Sequence, residues 1–253
     1  MYGGYMKNHR QKLFLLLSVI FSINFSSQLS ARENNQSIVV LNGKEALVYF
    51  NDGDTFKVLD GEYKNKRARI NGFNTLENYG PVHSFKNASQ NFLYENSQAA
   101  SQHARAGRWN CTLDGNNDTY GRLLVTCDDL ALSLIKNGFA HAFSMDESSA
   151  KASYVAIQKE AISKNMGMWK FGAPEYIITS LHSADENSSK RSRLKETYNR
   201  AISTLDGHTK EWKHQEVYKT CENVCFETTE SCMVYVPFTQ RYGDHRPSCL
   251  LSR

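Results

Sequence analysis

Acidic, amide and basic side chains cluster in two short stretches of this 253-residue chain. The first stretch contains the turn Asp52-Gly53-Asp54-Thr55, followed by Arg69 and by Asn74-Thr75-Leu76-Glu77. The second is Tyr120-Gly121-Arg122. Oxygen atoms of these types bind hard cations such as Ca²⁺, and a guanidinium matches two phosphate oxygens. The pattern therefore predicts metal-assisted hydrolysis of a phosphodiester.

The predicted cation ligands are Asp54, Asn74 and the carbonyl of Thr75. Asp54 follows Gly53 in a tight turn, which would direct its carboxylate away from the strand and into a cleft. The competing interpretation is that Asp52-Gly53-Asp54-Thr55 is only a hairpin turn. Taken alone, the turn favours that simpler interpretation.

The predicted catalytic residues are Arg69, Glu77 and Arg122. Two arginines that converge on one phosphate would stabilise the charge that develops in a five-coordinate transition state. Glu77 would accept a proton from the attacking water or hold that water in line. Each residue alone is typical of a solvated surface side chain, so the prediction depends on their combination.

Short strand-like segments carry most of these residues. They cover 37–41, 45–50, 55–59, 67–73, 109–113 and 122–127, and Asn42-Gly43 is a hairpin signal between the first two. Helical composition covers 84–106, 130–137 and 153–165. The pattern predicts an α+β fold, namely a five-stranded OB-fold β-barrel with about three packed helices.

The ordered set Asp54, Arg69, Asn74-Thr75-Leu76-Glu77, Tyr79-Gly80-Pro81 and Tyr120-Gly121-Arg122 resembles the staphylococcal nuclease (thermonuclease) family. The resemblance covers roughly residues 37–170. It implies an OB-fold nuclease that uses one Ca²⁺ ion to cleave DNA and RNA. It also implies the roles given above, and it matches Tyr120 with a family tyrosine near the bound nucleotide.

The chain departs from the family pattern at several places. Asn74 stands where the family usually has a second aspartate, so we expect weaker calcium binding or a preference for another divalent ion. Leu76 replaces a usual proline, and the loop between Glu77 and Tyr79 is short. The segment 140–143 lacks the family's tyrosines, which puts base stacking there in question.

The N-terminus has the pattern of a signal peptide over residues 1–31. Lys7, Arg10 and Lys12 precede an apolar run at 13–25, and small residues follow. An uncleaved anchor is the alternative. The chain has a formal net charge of +4, and removal of these three cations leaves it near +1. Bulk charge therefore gives no argument for nonspecific nucleic-acid binding.

The chain has an even number of cysteines, which are Cys111, Cys127, Cys221, Cys225, Cys232 and Cys249. In an exported protein they predict three disulfides, with Cys111 paired to Cys127. The pairing of the last four stays open, and a four-cysteine zinc site is the competing interpretation. These four lie in a predicted disulfide-stapled extension over 173–253, in which 194–203 and 211–219 have the composition of short helices.

The sequence thus predicts an exported, calcium-dependent endonuclease over residues 32–172, either periplasmic or secreted. We expect DNA and RNA as substrates, no membrane partner for the mature form, and a monomer. One alternative is a noncatalytic OB-fold module that binds nucleic acid or protein. Another makes the extension an envelope-binding or adhesive module with the nuclease as its cargo.

Overall fold

The computed structural model describes residues 37–188, 198–213, 215–227, 230–242 and 245–250. The predicted signal peptide at 1–31 lies outside the described residues. No helix among the described residues is long and apolar enough to cross a membrane.

Six strands close into a barrel in the order β1-β2-β3-β4-β8-β7. They are β1 (Ser37–Leu41), β2 (Lys44–Asp52), β3 (Thr55–Val58), β4 (Arg67–Ile70), β7 (Arg108–Asn117) and β8 (Leu123–Thr126). Two contacts are parallel, β1 with β7 and β4 with β8. The α+β class and the OB-type barrel are confirmed, with six strand segments rather than the expected five.

The hairpin between β1 and β2 forms at the turn that the sequence predicts. Asn42 and Gly43 both have positive φ, 47° and 83°, as a tight two-residue turn with the twist of the strands requires. In β2, Ala46, Val48 and Phe50 alternate with more exposed residues and face the core. This period of two places one face of the strand inside the barrel.

Three helices pack on the barrel, as predicted. They are α1 (Gln90–Ala106), α2 (Asp128–Lys136) and α3 (Ala152–Ser163). The first helix begins later than its composition suggests, because Ser89 is its N-cap and accepts a hydrogen bond from the Phe92 amide. The residues just before it form β6 (His83–Phe85) instead. A further pair of short strands, β5 (Phe73–Thr75) and β9 (Ala140–Ala142), lies beside the barrel.

The first part of the C-terminal extension is a three-stranded sheet. It consists of β10 (Tyr176–Ser180), β11 (Tyr198–Ser203) and β12 (Thr209–Lys213) in that order. The prediction of helices at 194–203 and 211–219 is wrong for the residues that form β11 and β12. Both strands pair in antiparallel register, and this long-range pairing outweighs their local helical composition.

The second part of the extension joins the barrel domain through the backbone. The strand β14 (Ser231–Val234) lies between β13 (Asn223–Cys225) and β6, and it pairs antiparallel with both. The Cys225–Cys232 bridge joins the two facing strands, and Cys221–Cys249 ties the following segment to them. These four cysteines therefore form two disulfides, and the alternative interpretation as a zinc site is wrong.

Candidate active site

The turn between β2 and β3 places Asp54 inside the domain. A Cβ atom on Gly53 would lie 2.7 Å from Thr75 Cγ2 and 3.3 Å from Ala100 Cβ. Only glycine therefore lets this turn pack so closely against β5 and α1. Thr55 pairs with Arg69 across β3 and β4, which brings the acid and the first arginine together.

Asp54 is only 3% exposed, and both of its carboxylate oxygens are engaged. Oδ1 forms an ion pair with Arg69 and accepts a hydrogen bond from Thr55 Oγ1 at 3.0 Å. Oδ2 accepts from the Thr75 amide at 2.8 Å and from Thr75 Oγ1 at 3.2 Å. Burial alone would raise the pKa of Asp54, but Arg69 and these donors hold that pKa below its usual range.

Asn74 closes a ring of contacts around Arg69. Its Oδ1 accepts from Arg69 Nη2 at 2.6 Å, and its Nδ2 donates to the Thr75 carbonyl at 3.0 Å. Thr75 in turn donates to Asp54. The three predicted cation ligands and Arg69 thus lie in one cluster, in which they form hydrogen bonds with one another.

Glu77 lies at the edge of this cluster with its side chain accessible to solvent. The surrounding protein nevertheless removes much of its hydration, and Asp54 adds negative charge, so the pKa of Glu77 is raised. Arg241, Arg69 and Arg122 oppose that shift. Glu77 is therefore near both predicted arginines, and a third arginine that the sequence did not indicate lies nearby.

Asp52 is a further acid that the predicted residue set omits. Its Oδ1 accepts from the Asn78 amide at 3.3 Å. Desolvation, Glu77 and Asp54 raise the pKa of Asp52 to about 8. The signal in the sequence was its place two residues before Asp54, at the end of β2 and the start of the same turn.

Arg122 is held by Asp118, which sequence reasoning also missed. Arg122 Nε donates to Asp118 Oδ2 at 2.6 Å, and the amides of Tyr120 and Arg122 each donate to Asp118 Oδ1 at 2.9 Å. Gly121 makes the turn with a φ of 74°. Tyr120 is 68% exposed, and the Arg122 guanidinium lies 5.6 Å from its ring centroid.

The barrel places one arginine in a strand and the other directly before the neighbouring strand. Arg69 is in β4, and Arg122 directly precedes β8, which pairs parallel with β4 through Ala68 and Leu123. The predicted Cys111–Cys127 bridge is present and joins β7 to the start of α2. It closes the loop that carries Arg122.

The donor set suits a hard cation. Among the described residues no three His, Cys, Asp or Glu side chains are grouped as a ligand set, so an ion here would also need amide and carbonyl oxygens. Asp54, Asn74 and Thr75 offer one oxygen of each kind, as Ca²⁺ accepts. Binding at these oxygens would require Arg69 and the Asn74 amide to release them.

Residues 67–171 match the sequence model of the family described as staphylococcal nuclease homologue. The chain carries a domain of this nuclease family. The matched segment includes Arg69, Glu77 and Arg122. Asp54 precedes the segment, and the pairing of β3 with β4 brings it to the same site. No curated protein matched the chain in a sequence comparison.

Proposed function

We propose that the protein is an exported endonuclease that hydrolyses phosphodiester bonds of DNA and RNA with the help of one Ca²⁺ or another divalent ion. The single observation that carries this proposal is the convergence of the Asp54–Arg69–Asn74–Thr75 cluster with Glu77. An oxygen-rich cluster beside a basic side chain and a carboxylate of raised pKa is suited to phosphoryl transfer.

Each residue of the proposed site has its own role in the reaction. Glu77 accepts the proton of the attacking water, and its raised pKa supports that role because a stronger base takes up a proton more readily. Arg69 and Arg122 donate to the phosphate oxygens as negative charge builds up. Tyr120, exposed beside Arg122, contacts the neighbouring nucleotide.

Carboxylates hold both arginines before the ion and the substrate arrive. Asp118 fixes Arg122, and this preorganisation lowers the cost of arranging a donor at the moment of reaction. Asp54 holds Arg69 until an ion takes its place. Asp54, Asn74 and Thr75 would hold the divalent ion, which when bound polarises phosphate oxygens and lowers the pKa of a coordinated water.

The cysteines support the proposed place of action. Three disulfides are typical of proteins that mature in an oxidising compartment. Together with the signal-peptide pattern of residues 1–31, they support export to the periplasm or the medium. We propose a monomer that acts on free nucleic acid without a membrane partner.

A noncatalytic binding module is the second candidate function. It is favoured by one observation, namely that Arg69, Asn74 and Thr75 already satisfy one another without an ion. A module that only binds nucleic acid has no need to open that cluster. The intact set of Arg69, Glu77 and Arg122 favours the enzyme.

The test uses the oxidised protein, residues 32–253, with heat-denatured DNA or RNA in millimolar Ca²⁺, and a chelated control. We expect loss of polymer only when the ion is present. Glu77→Gln should abolish cutting, whereas Glu160→Gln, at an exposed site on α3, should leave it unchanged. Intact polymer with every divalent ion tried, together with retained binding, would favour the binding module.

A further inference from the structure

A small polar cavity lies beside Glu77, where the extension meets the barrel domain. Its volume is about 60 Å³, and its lining includes Glu77, Ser180, His182 and Arg241. A space of this size holds a few water molecules. Three of these four residues belong to the extension, so the wall next to the proposed catalytic base is largely built by it.

Arg241 is fixed in this wall by backbone carbonyls. Its Nε donates to Val236 O at 2.9 Å and its Nη2 to Leu181 O at 3.5 Å. Its guanidinium also lies 6.0 Å from the ring centroid of Phe238. Because a guanidinium has five N–H donors, two bonds to carbonyls leave donors for a further acceptor.

Arg241 differs from the other two arginines because its guanidinium has no carboxylate in ion-pair contact among the described residues. Arg69 and Arg122 each form an ion pair with a carboxylate. Arg241 forms no ion pair within 4.0 Å in the part of the chain that the structure describes. A phosphate that binds Arg241 therefore does not have to displace a carboxylate.

The neighbouring polar side chains are held in place. Ser180 Oγ and His182 Nε2 are 3.1 Å apart, and His182 Nδ1 lies 3.1 Å from Glu186. The His182 amide donates to Asn199 Oδ1 at 2.6 Å. These contacts hold the end of β10 and the residues that follow it in place beside Arg241.

We propose that Arg241 binds the backbone phosphate next to the one that is cleaved. The inference rests on the proposed function, since it assigns the extension a substrate subsite of the same nuclease. The subsite recognises a phosphodiester of a strand and no particular base. It gives the extension a role in holding the polymer in register with Glu77.

Binding without cutting provides the first test. A labelled single strand of roughly 8 nucleotides, within the span of an OB domain, is titrated under chelation against wild type, Arg241→Gln and Arg241→Lys. We expect Arg241→Gln to raise the Kd roughly tenfold, as for a lost charge-assisted contact, and Arg241→Lys to raise it less. The slope of log K against log salt should shrink by about 0.7, the value of one phosphate contact on a single strand.

The salt slope separates the subsite from a purely structural role, because a loss of folding weakens binding without removing one specific phosphate contact. Lys219→Gln removes one exposed positive charge from the extension and should change neither quantity. An Arg241→Gln protein with wild-type slope and a Kd within about twofold would overturn the proposal.

Cutting provides the second test. In the presence of the ion, Arg241→Gln should raise KM for the long strand several-fold more than KM for a dinucleotide, which has a single phosphodiester. Equal losses on both substrates would overturn the subsite. If wild type binds as expected but cuts neither substrate with any divalent ion, the proposed function fails while the phosphate subsite stands.

Discussion

The guanidinium of Arg69 forms an ion pair with the Asp54 carboxylate and at the same time donates to the Asn74 amide oxygen at 2.6 Å. Arg69, which is proposed to bind phosphate, therefore contacts two of the residues that are proposed to bind the cation. Occupation of the site by an ion and release of Arg69 toward substrate should be coupled, because a cation at Asp54 takes over the role of the guanidinium.

Replacement of Arg69 tests this coupling. Arg69→Gln should bind Ca²⁺ more tightly than wild type, because the competing cation is gone, and should lower kcat by a factor on the order of 10² to 10³. Calorimetric titration and single-turnover cleavage measure the two effects. Unchanged calcium affinity would show that Arg69 and the ion do not share Asp54.

Asn74→Asp should strengthen calcium binding about tenfold, equivalent to about 1.4 kcal/mol. The change adds a carboxylate to the donor set and removes the Nδ2 group that now donates to the Thr75 carbonyl. Asn87→Asp adds the same charge at an exposed turn before α1 and is the matched control. Equal affinities of Asn74→Asp and wild type would exclude Asn74 from the ligand set.

Asp118→Asn should lower kcat roughly tenfold, because Arg122 loses a charge-assisted partner that positions it. The thermal midpoint should change little, since this pair lies in a surface loop. Asp114→Asn, near the end of β7, removes a carboxylate that contacts Thr126 and Asn71 and provides the control. A wild-type kcat for Asp118→Asn would mean that Arg122 is positioned by other contacts.

Two buried histidines predict a loss of stability in acid. Desolvation lowers the pKa of His83 to about 3 and that of His141 to about 4, and the Nε2 atom of each is buried without a hydrogen-bond partner among the described residues. Between pH 6.5 and 4 the unfolded chain binds protons there that the folded chain does not. Each histidine then lowers the unfolding free energy by up to about 1.4 kcal/mol per pH unit as the pH falls.

The raised pKa of Asp52 acts in the opposite direction over this range, so the difference between variant and wild type is the useful quantity. Urea unfolding of His83→Gln at pH 7 and pH 5 measures it. Relative to wild type, the variant should gain stability at the lower pH. A difference that does not change with pH would mean that His83 is not kept neutral by folding.

The Cys111–Cys127 bridge should contribute about 3 kcal/mol to stability, the entropic value for a loop of its size. It closes a loop with a sequence separation of 16. Urea unfolding of the Cys111→Ala/Cys127→Ala protein measures the loss. A free Cys111 thiol in the oxidised protein, detected by intact mass before and after reduction, would contradict the bridge itself.

Local signals were sufficient for much of the barrel and its site. The Asn42-Gly43 turn, the strand periodicity and the motif order predicted the barrel, although with five strands rather than six, and the Asp54, Arg69 and Thr75 neighbourhood. The Cys111–Cys127 pair followed from two cysteines on strands expected to be neighbours. Each of these features depends on residues that lie close in sequence or in adjacent strands.

The extension could not be predicted in the same way. The strands β11 and β12 have helical composition, and their partner β10 lies well before them in the chain. Arg241 has no motif around it, and its place beside Glu77 depends on β14 pairing with β6. Such contacts between distant segments leave no local trace in a single sequence.

The pairing of β14 with β6 also bears on the order in which the molecule is made. A ribosome adds residues at about 5–20 per second, so β6 waits on the order of 10 seconds for the strand that completes its sheet. Until then β6 presents an open edge, to which other chains can add. A chaperone or a folding catalyst that protects this edge would raise the yield of native protein, and a chain shortened before Ser231 would remain prone to aggregate however intact its barrel.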